Sequence, residues 1–236
     1  MPATAWDRLE RDIVTCKRCP RLIEHCREIA RVKRRSYRDE AYWGRPVPGF
    51  GDRSAHILFL GLAPGAHGAN RTGRMFTGDS SGAWLYAALH RAALTDRPAS
   101  VSRDDGLRLE GAYISNVCRC APPSNKPIRD ELQNCRPFLD REFDALRRLR
   151  VVVALGKIAW DEALRRARSL SPVSFPKPAP AFGHGAETVL ALRRRRPPLA
   201  LLGSYHPSRQ NTQTGRLTRS MFDAVVRRAV RLADAA

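Results

Sequence analysis

Four short, mainly apolar runs, Ile57 to Leu60, Ala112 to Asn116 (apolar through Ile114), Val151 to Leu155 and Leu199 to Leu202, punctuate the chain, and helical patterns separate them. Uninterrupted apolar segments of this length predict strands buried on both faces, as in a parallel sheet covered on each side by helices. The expected fold is therefore α/β, a single domain over residues 1–236 with a mainly parallel central sheet of about four strands. In such sheets ligands bind beyond the carboxyl ends of the strands. Here those ends carry a glycine-rich loop after Leu60, then Asn116, Gly156 and His206.

The loop after the first strand belongs to ILFLGLAPGAHGANRTGRMFTGDSSG, residues 57–82, with six glycines. Glycines let the backbone approach a ligand closely. Ser80 or Ser81 is expected to cap a helix starting near Ala83, which would leave free N–H groups at the end of the loop. Phe76 is the only Phe, Tyr or Trp between strand and helix. It reads either as a flat surface for a planar ring or as a core plug. Gly68 to Met75 comes close to a phosphate-binding loop, but Arg74 replaces its lysine and Met75 its magnesium-binding hydroxyl, which argues against a nucleotide hydrolase of that class.

The chain has 42 Lys and Arg against 23 Asp and Glu, a net charge of +19. Most of the excess is arginine, whose planar fork grips phosphates, so a nucleic acid is the expected partner. Lys33 to Arg35 and Arg193 to Arg196 are candidate phosphate contacts, and Arg209 to Arg219 are placed to enter a duplex. Residues 32–55, basic and then rich in Pro and Gly, interleave Tyr37, Tyr42, Trp43 and Phe50 and read as an ordered surface arm. Residues 169–198, with six prolines, resist assignment apart from a short strand expected at 188–192. No apolar run is long enough for a membrane span and the N-terminus lacks a secretory pattern, so a cytoplasmic location is expected.

In a reducing compartment six cysteines argue for metal binding over disulfides. Cys16 and Cys19 form a C-x-x-C pair stopped by Pro20. Cys120 and Cys135 make a second pair, although spacing alone leaves Cys118 as a rival to Cys120. Four thiolates fit zinc or an iron-sulfur cluster, and Cys26 reads as a buried thiol. His206 follows a buried strand and is placed to donate to an oxygen that gains charge. Asn116 carries an amide able to match both a donor and an acceptor on a base edge. The charge and thiols alone would also suit a non-catalytic nucleic-acid-binding module held by a four-cysteine metal site.

GLAPGAHGANRTGRMFTGDSSG, ISNVCRCAPPSN, SYHPSRQNTQTGRLT and YWGRPVPGFGD together resemble the family 5 (type b) uracil-DNA glycosylases, iron-sulfur members of the uracil-DNA glycosylase superfamily. The resemblance runs from Cys16 into the last helix. It implies a three-layer αβα sandwich, one structural [4Fe-4S] cluster, and hydrolysis of the N-glycosidic bond of a flipped-out deaminated base; double-stranded DNA is the expected partner, with single-stranded DNA left open, and a monomer is expected. By the same resemblance Gly61, Ala63, Pro64, Gly65 and Ala66 line the pocket near the sugar, Phe76 stacks on the base, Asn116 reads its edge and His206 meets the leaving base. Cys16, Cys19, Cys120 and Cys135 match the cluster ligands, Cys120 being favoured by the proline pair after it.

Where sister families place an acid or amide to hold water, this chain has Ala66. A dissociative reaction and a pocket open to hypoxanthine and etheno bases are expected from that. Asp79 ranks first among the loop side chains that could position water, ahead of Asn70 and His67.

Overall fold

The computed structural model describes residues 3–170, 175–190 and 198–235. Its sheet has six strands: β1 (Phe50–Gly51), β2 (Ile57–Gly61), β3 (Ala112–Asn116), β4 (Val151–Leu155), β5 (Glu187–Leu190) and β6 (Leu199–Ser204), in the order β1-β3-β2-β4-β6-β5. The four inner strands are parallel and are the four apolar runs of the sequence. The outer two, β1 and β5, pair antiparallel and close the edges. Among the described residues the helices are α1 (Ala5–Val14), α2 (Pro20–Val32), α3 (Ala69–Thr72), α4 (Ser80–Arg91), α5 (Arg129–Ala145), α6 (Lys157–Leu170), α7 (Arg209–Gln213) and α8 (Arg219–Asp234).

Alternation along each strand divides the core into two layers. Ile57, Phe59, Val151 and Val153 pack under α4 and α8 through Leu85, Leu89, Phe222 and Val226. Their neighbours Leu58, Leu60, Val152 and Ala154 face α5 and α6 through Leu139, Phe143, Trp160 and Ala163. Both faces of the inner strands are thus covered, which is why their sequences are mainly apolar rather than alternating, with the polar residues Ser115, Asn116 and Ser204 confined to the carboxyl ends. Helices α1 and α2 sit outside this sandwich. Leu9 and Ile13 of α1 pack on Phe138, and Leu22 of α2 packs among Cys19, Cys26 and Cys120. Pro20 opens α2, where its missing N–H has no helical partner to lose.

Two local differences from the sequence reading have clear causes. Strand β1 is only two residues long, within a Pro/Gly-rich stretch that carries no strand pattern, and tertiary pairing to β3 makes it. Helix α4 begins three residues earlier than Ala83 because Asp79, not a serine, caps it: its carboxylate accepts the Gly82 N–H at 2.8 Å. Strand β5 matches the expected edge at 188–190, whereas residues 191 and 192, and the run Arg193 to Arg196, lie outside the described residues. The arm at 32–55 is ordered and tied down. Trp43 and Gly44 donate to the carbonyls of Arg71 and Asn70 in the glycine loop, and Val47 donates to that of Arg119.

Candidate active site

Parallel register brings the ends of β2 and β3 side by side, pairing Gly61 with Asn116. A Cβ on Gly61 would come within 2.8 Å of Phe76 Cζ and closer still to Asn116 Oδ1. Glycine there is thus what leaves room for the amide and the aromatic ring to converge. The Phe76 ring in turn stacks on the His206 ring, with centroids 5.8 Å apart and planes 30° from parallel. Three side chains from three distant segments therefore meet at the carboxyl edge of the sheet. Gly156, directly after β4 at φ 106°, borders the same edge beside His206.

Phe76 adopts a left-handed conformation at φ 53°, which a non-glycine residue holds only when its surroundings impose it. Gly82 makes room for it, since a side chain there would run into the Phe76 carbonyl. Asn116 is 1% exposed, and its Nδ2 lies 3.0 Å from Met75 Sδ. Its Oδ1 has no partner among the described residues. A buried amide oxygen left without a donor costs about 1–3 kcal/mol, so this atom points to a ligand that supplies an N–H. Burial lowers the His206 pKa to about 4, which keeps the ring neutral and able to donate one hydrogen bond near pH 7. The His206 carbonyl accepts from Asn211 Nδ2 at 2.8 Å, which fixes the turn that presents the ring.

The first part of the glycine loop forms the rim of this site. Pro64 is buried, while Ala63, Gly65 and Ala66 are half-buried. The cap residue Asp79 reaches back over it: side chains added at Gly65 or Gly68 would strike Asp79 Oδ2. Burial raises the Asp79 pKa against the opposing pull of the Gly82 and Ser81 N–H groups, Arg71 and Arg209. One oxygen is used in the cap and the other faces the loop that includes Ala66. Asn70 is fully buried and donates to the carbonyls of Cys26 and Ala66, so it braces the loop from behind. His67 is engaged by Tyr42, its Nδ1 3.0 Å from the phenol oxygen.

Arg74, the residue at the lysine position of the false phosphate loop, points inward. It is 4% exposed, pairs with Asp105 at 2.5 Å and lies over the Phe50 ring. Nothing in the sequence marked its partner, 31 positions away. The same holds for Met75 under Asn116 and for the buried pair Arg119–Glu142. In that pair the guanidinium and the carboxylate both bond Ser115 Oγ at 2.6 Å, directly behind Asn116.

All six cysteines are free thiols, Cys16 half-buried and the others buried. They come from the α1–α2 junction, α2, the loop after β3, and α5. The hydrogen bond from Cys118, outweighing burial, pulls Cys135 down to about 7, with help from the Arg119 N–H and from the Arg119 and Arg18 guanidiniums. Cys120 is raised by its hydrogen bond with Cys26 and by burial, with Cys135 and Cys16 near enough to add to the shift. Burial raises Cys19, and Cys135 and Cys16 add to that. Cys16, Cys19, Cys120 and Cys135 thus share one electrostatic neighbourhood, which Cys26 and Cys118 flank. Among the described residues no three His, Cys, Asp or Glu side chains close around a point as ligands of a single metal ion.

The profile of the Uracil DNA glycosylase superfamily matches residues 48–229, a span that takes in β2, β3, β4, β6 and every side chain of the Asn116–Phe76–His206 cluster. The chain belongs to the uracil-DNA glycosylase superfamily. Within it the similarity is to Type-5 members. A Type-5 uracil-DNA glycosylase of Thermus thermophilus is 52% identical over 221 residues, 94% of this chain and 95% of that protein. One from Mycobacterium bovis is 51% identical over 222 residues, 94% of this chain and 79% of that protein. A Type-4 uracil-DNA glycosylase of Archaeoglobus fulgidus is 32% identical over 154 residues, covering 65% and 60% of the two chains. The superfamily match fits the observed αβα layering around a mostly parallel sheet. Among the described residues no helix is long and apolar enough to cross a membrane.

Proposed function

We propose that this chain, acting as one domain over residues 1–236, is a monofunctional glycosylase that excises uracil from DNA by hydrolysing its N-glycosidic bond and so initiates base excision repair. The observation that carries the reading is the unpartnered Asn116 Oδ1, buried beside a strained aromatic ring and a neutral histidine. Uracil is planar and carries an N–H next to a carbonyl on its pairing edge. It would lie on Phe76 with its N–H donated to Asn116 Oδ1 and its carbonyl accepting from Nδ2. To be reached there, the nucleotide must leave the duplex.

Breaking the C1′–N1 bond sends its electron pair to the base, and negative charge grows on the base oxygens. Neutral His206 would donate its N–H to one of them without needing to lose a proton to solution first, as a donor placed for developing charge does. Water then adds to C1′ and its proton leaves to the base anion or to solvent. The Ala66 side chain has no polar atom to orient that water, which favours departure of the base before attack. Asp79 would hold the water as it arrives, a role supported by its Oδ2 lying over Gly65 and Gly68. Ala66 also leaves space, which supports a substrate range extending to hypoxanthine and etheno bases.

Cys16, Cys19, Cys120 and Cys135 would hold one [4Fe-4S] cluster, and their fit rests on the donor chemistry: four thiols without disulfides, three of them buried, in one neighbourhood. The cluster would supply structural bracing between α1, α2 and α5, and the reaction itself needs only the residues above. With its net charge of +19 the protein is read as a cytoplasmic, nucleoid-associated monomer acting on double-stranded DNA. A duplex carrying one uracil tests the function: free uracil and an abasic strand are expected. Tight binding with no release of uracil, hypoxanthine or etheno bases would instead leave a binding module.

A further inference from the structure

Tyr42 and His67 form a pair that the excision chemistry leaves unused. The Tyr42 ring, delivered by the basic arm, stands edge-on to the imidazole, with centroids 6.1 Å apart and planes at 81°. Its hydroxyl lies 3.0 Å from His67 Nδ1 and also accepts the Arg34 backbone N–H at 3.4 Å. The phenol oxygen accepts from Arg34 and still has its own proton to donate to Nδ1. When the phenol donates to Nδ1, the one N–H of a neutral imidazole sits on Nε2. Burial, reinforced by Arg34 and Arg71, lowers the His67 pKa and keeps the ring neutral. Nε2 has no partner among the described residues.

The surroundings say what that N–H faces. His67 is half-buried at the crest of the loop between Gly65 and Gly68, the two glycines that pack on Asp79. Arg209, three residues beyond His206, acts on the same Asp79 carboxylate, so the two segments flank one opening. Of the two cations near His67, Arg71 is fully occupied: it pairs with Glu40, donates to the His67 and Gly78 carbonyls and lies 4.0 Å from the Tyr37 ring centroid. The Arg34 side chain is exposed and makes no ion pair among the described residues. A fixed neutral donor beside a free guanidinium, at the rim of a pocket for a flipped nucleotide, suits a singly charged oxyanion.

We propose that His67 Nε2–H and the Arg34 guanidinium together grip a phosphodiester oxygen of the DNA strand next to the flipped nucleotide, with Tyr42 as the positioning residue that sets the tautomer. This rests on the glycosylase reading for the identity of the strand. A histidine that presents only a donor cannot take a proton from water, so in this role His67 is not the base that activates the nucleophile.

Binding to a duplex with a stable abasic analogue reads the contact without requiring excision. His67→Phe should weaken binding at least about tenfold, the size expected for a hydrogen bond to a charged group. His67→Gln, which keeps an N–H donor, should recover most of that loss, and Tyr42→Phe should show part of it. Arg34→Ala should make the slope of log K against log salt shallower by about 0.9, one phosphate's share. Replacing the flanking phosphates one at a time by neutral methylphosphonate should reveal one position at which His67→Phe causes no further loss. The proposal is overturned if His67→Phe and methylphosphonate act additively at every flanking position, or if His67→Gln binds as poorly as His67→Phe. Uracil release by the same wild-type preparation is scored separately. Release without any His67 effect sinks the grip alone, whereas the His67 effects without release sink the glycosylase reading alone.

Discussion

Gly61→Ala is the smallest change that should disable the site while sparing the fold. Gly61 ends β2 with a backbone that any residue adopts, so the methyl adds no local strain and, in a strand, recovers a few tenths of a kcal/mol of chain entropy. The trouble lies in what the methyl meets. It would stand 2.8 Å and 3.0 Å from two Phe76 ring carbons and nearer still to Asn116 Oδ1. Neither group can yield cheaply: Phe76 is held at φ 53° under Gly82, and Asn116 is buried with Nδ2 against Met75. The amide must retreat by about 1 Å, and a misplacement of that size costs on the order of 100-fold in rate, or ~2.7 kcal/mol of transition-state stabilisation. Enzyme in excess over a uracil duplex, quenched over time, measures the rate, and a denaturant titration confirms that the variant is folded. A folded Gly61→Ala protein that excises uracil within threefold of the parent would refute the convergence of Gly61, Asn116 and Phe76 as the base site.

Three further outcomes follow from the same geometry. Because burial holds His206 at about 4 in the fold against 6.5 unfolded, the unfolded chain takes up that proton first; its contribution to stability is complete above pH 6.5 and falls away between 6.5 and about 4, which urea midpoints across that range will show. Asp105 is held at about 2, burial being outweighed by the Arg74 guanidinium and the Leu107, Val101 and Ser102 N–H groups, so its contribution is present above pH 3.8 and lost as pH falls through 2, and Asp105→Ala at pH 7 should cost roughly 3 kcal/mol by leaving Arg74 buried and unpaired. Cys135→Ala should abolish the bound iron and brown colour of the purified protein while Cys26→Ala keeps both, read by iron assay and visible absorbance.

The parallel core and the three converging side chains were legible because a strand buried on both faces must be continuously apolar, and because strand ends in such a sheet share one edge. Asn116, Phe76 and His206 each stand out locally, as the last residue of a run, the lone aromatic of a loop and the residue after a buried strand. What stayed hidden depends on partners far along the chain. Arg74 reads as a near-miss phosphate ligand until Asp105 is folded against it, and Arg119 reads as one more basic residue until Glu142 and Ser115 enclose it. Asp79 was visible as a polar loop residue, but its N-cap role competes with two adjacent serines of similar capping strength, and only the folded loop, in which Asp79 accepts the Gly82 N–H, separates them. Strand β1 has no apolar period at all and exists through its pairing with β3.

The most direct test of the account is single-turnover cleavage of a uracil-containing duplex by the wild-type protein and His206→Ala side by side. If neutral His206 stabilises the departing base, free uracil appears with the wild type and the variant is slower by about 10²–10³-fold, the loss seen when one such donor is removed. Equal rates for the two proteins would contradict the assignment of His206 to the leaving base and with it the proposed route of excision.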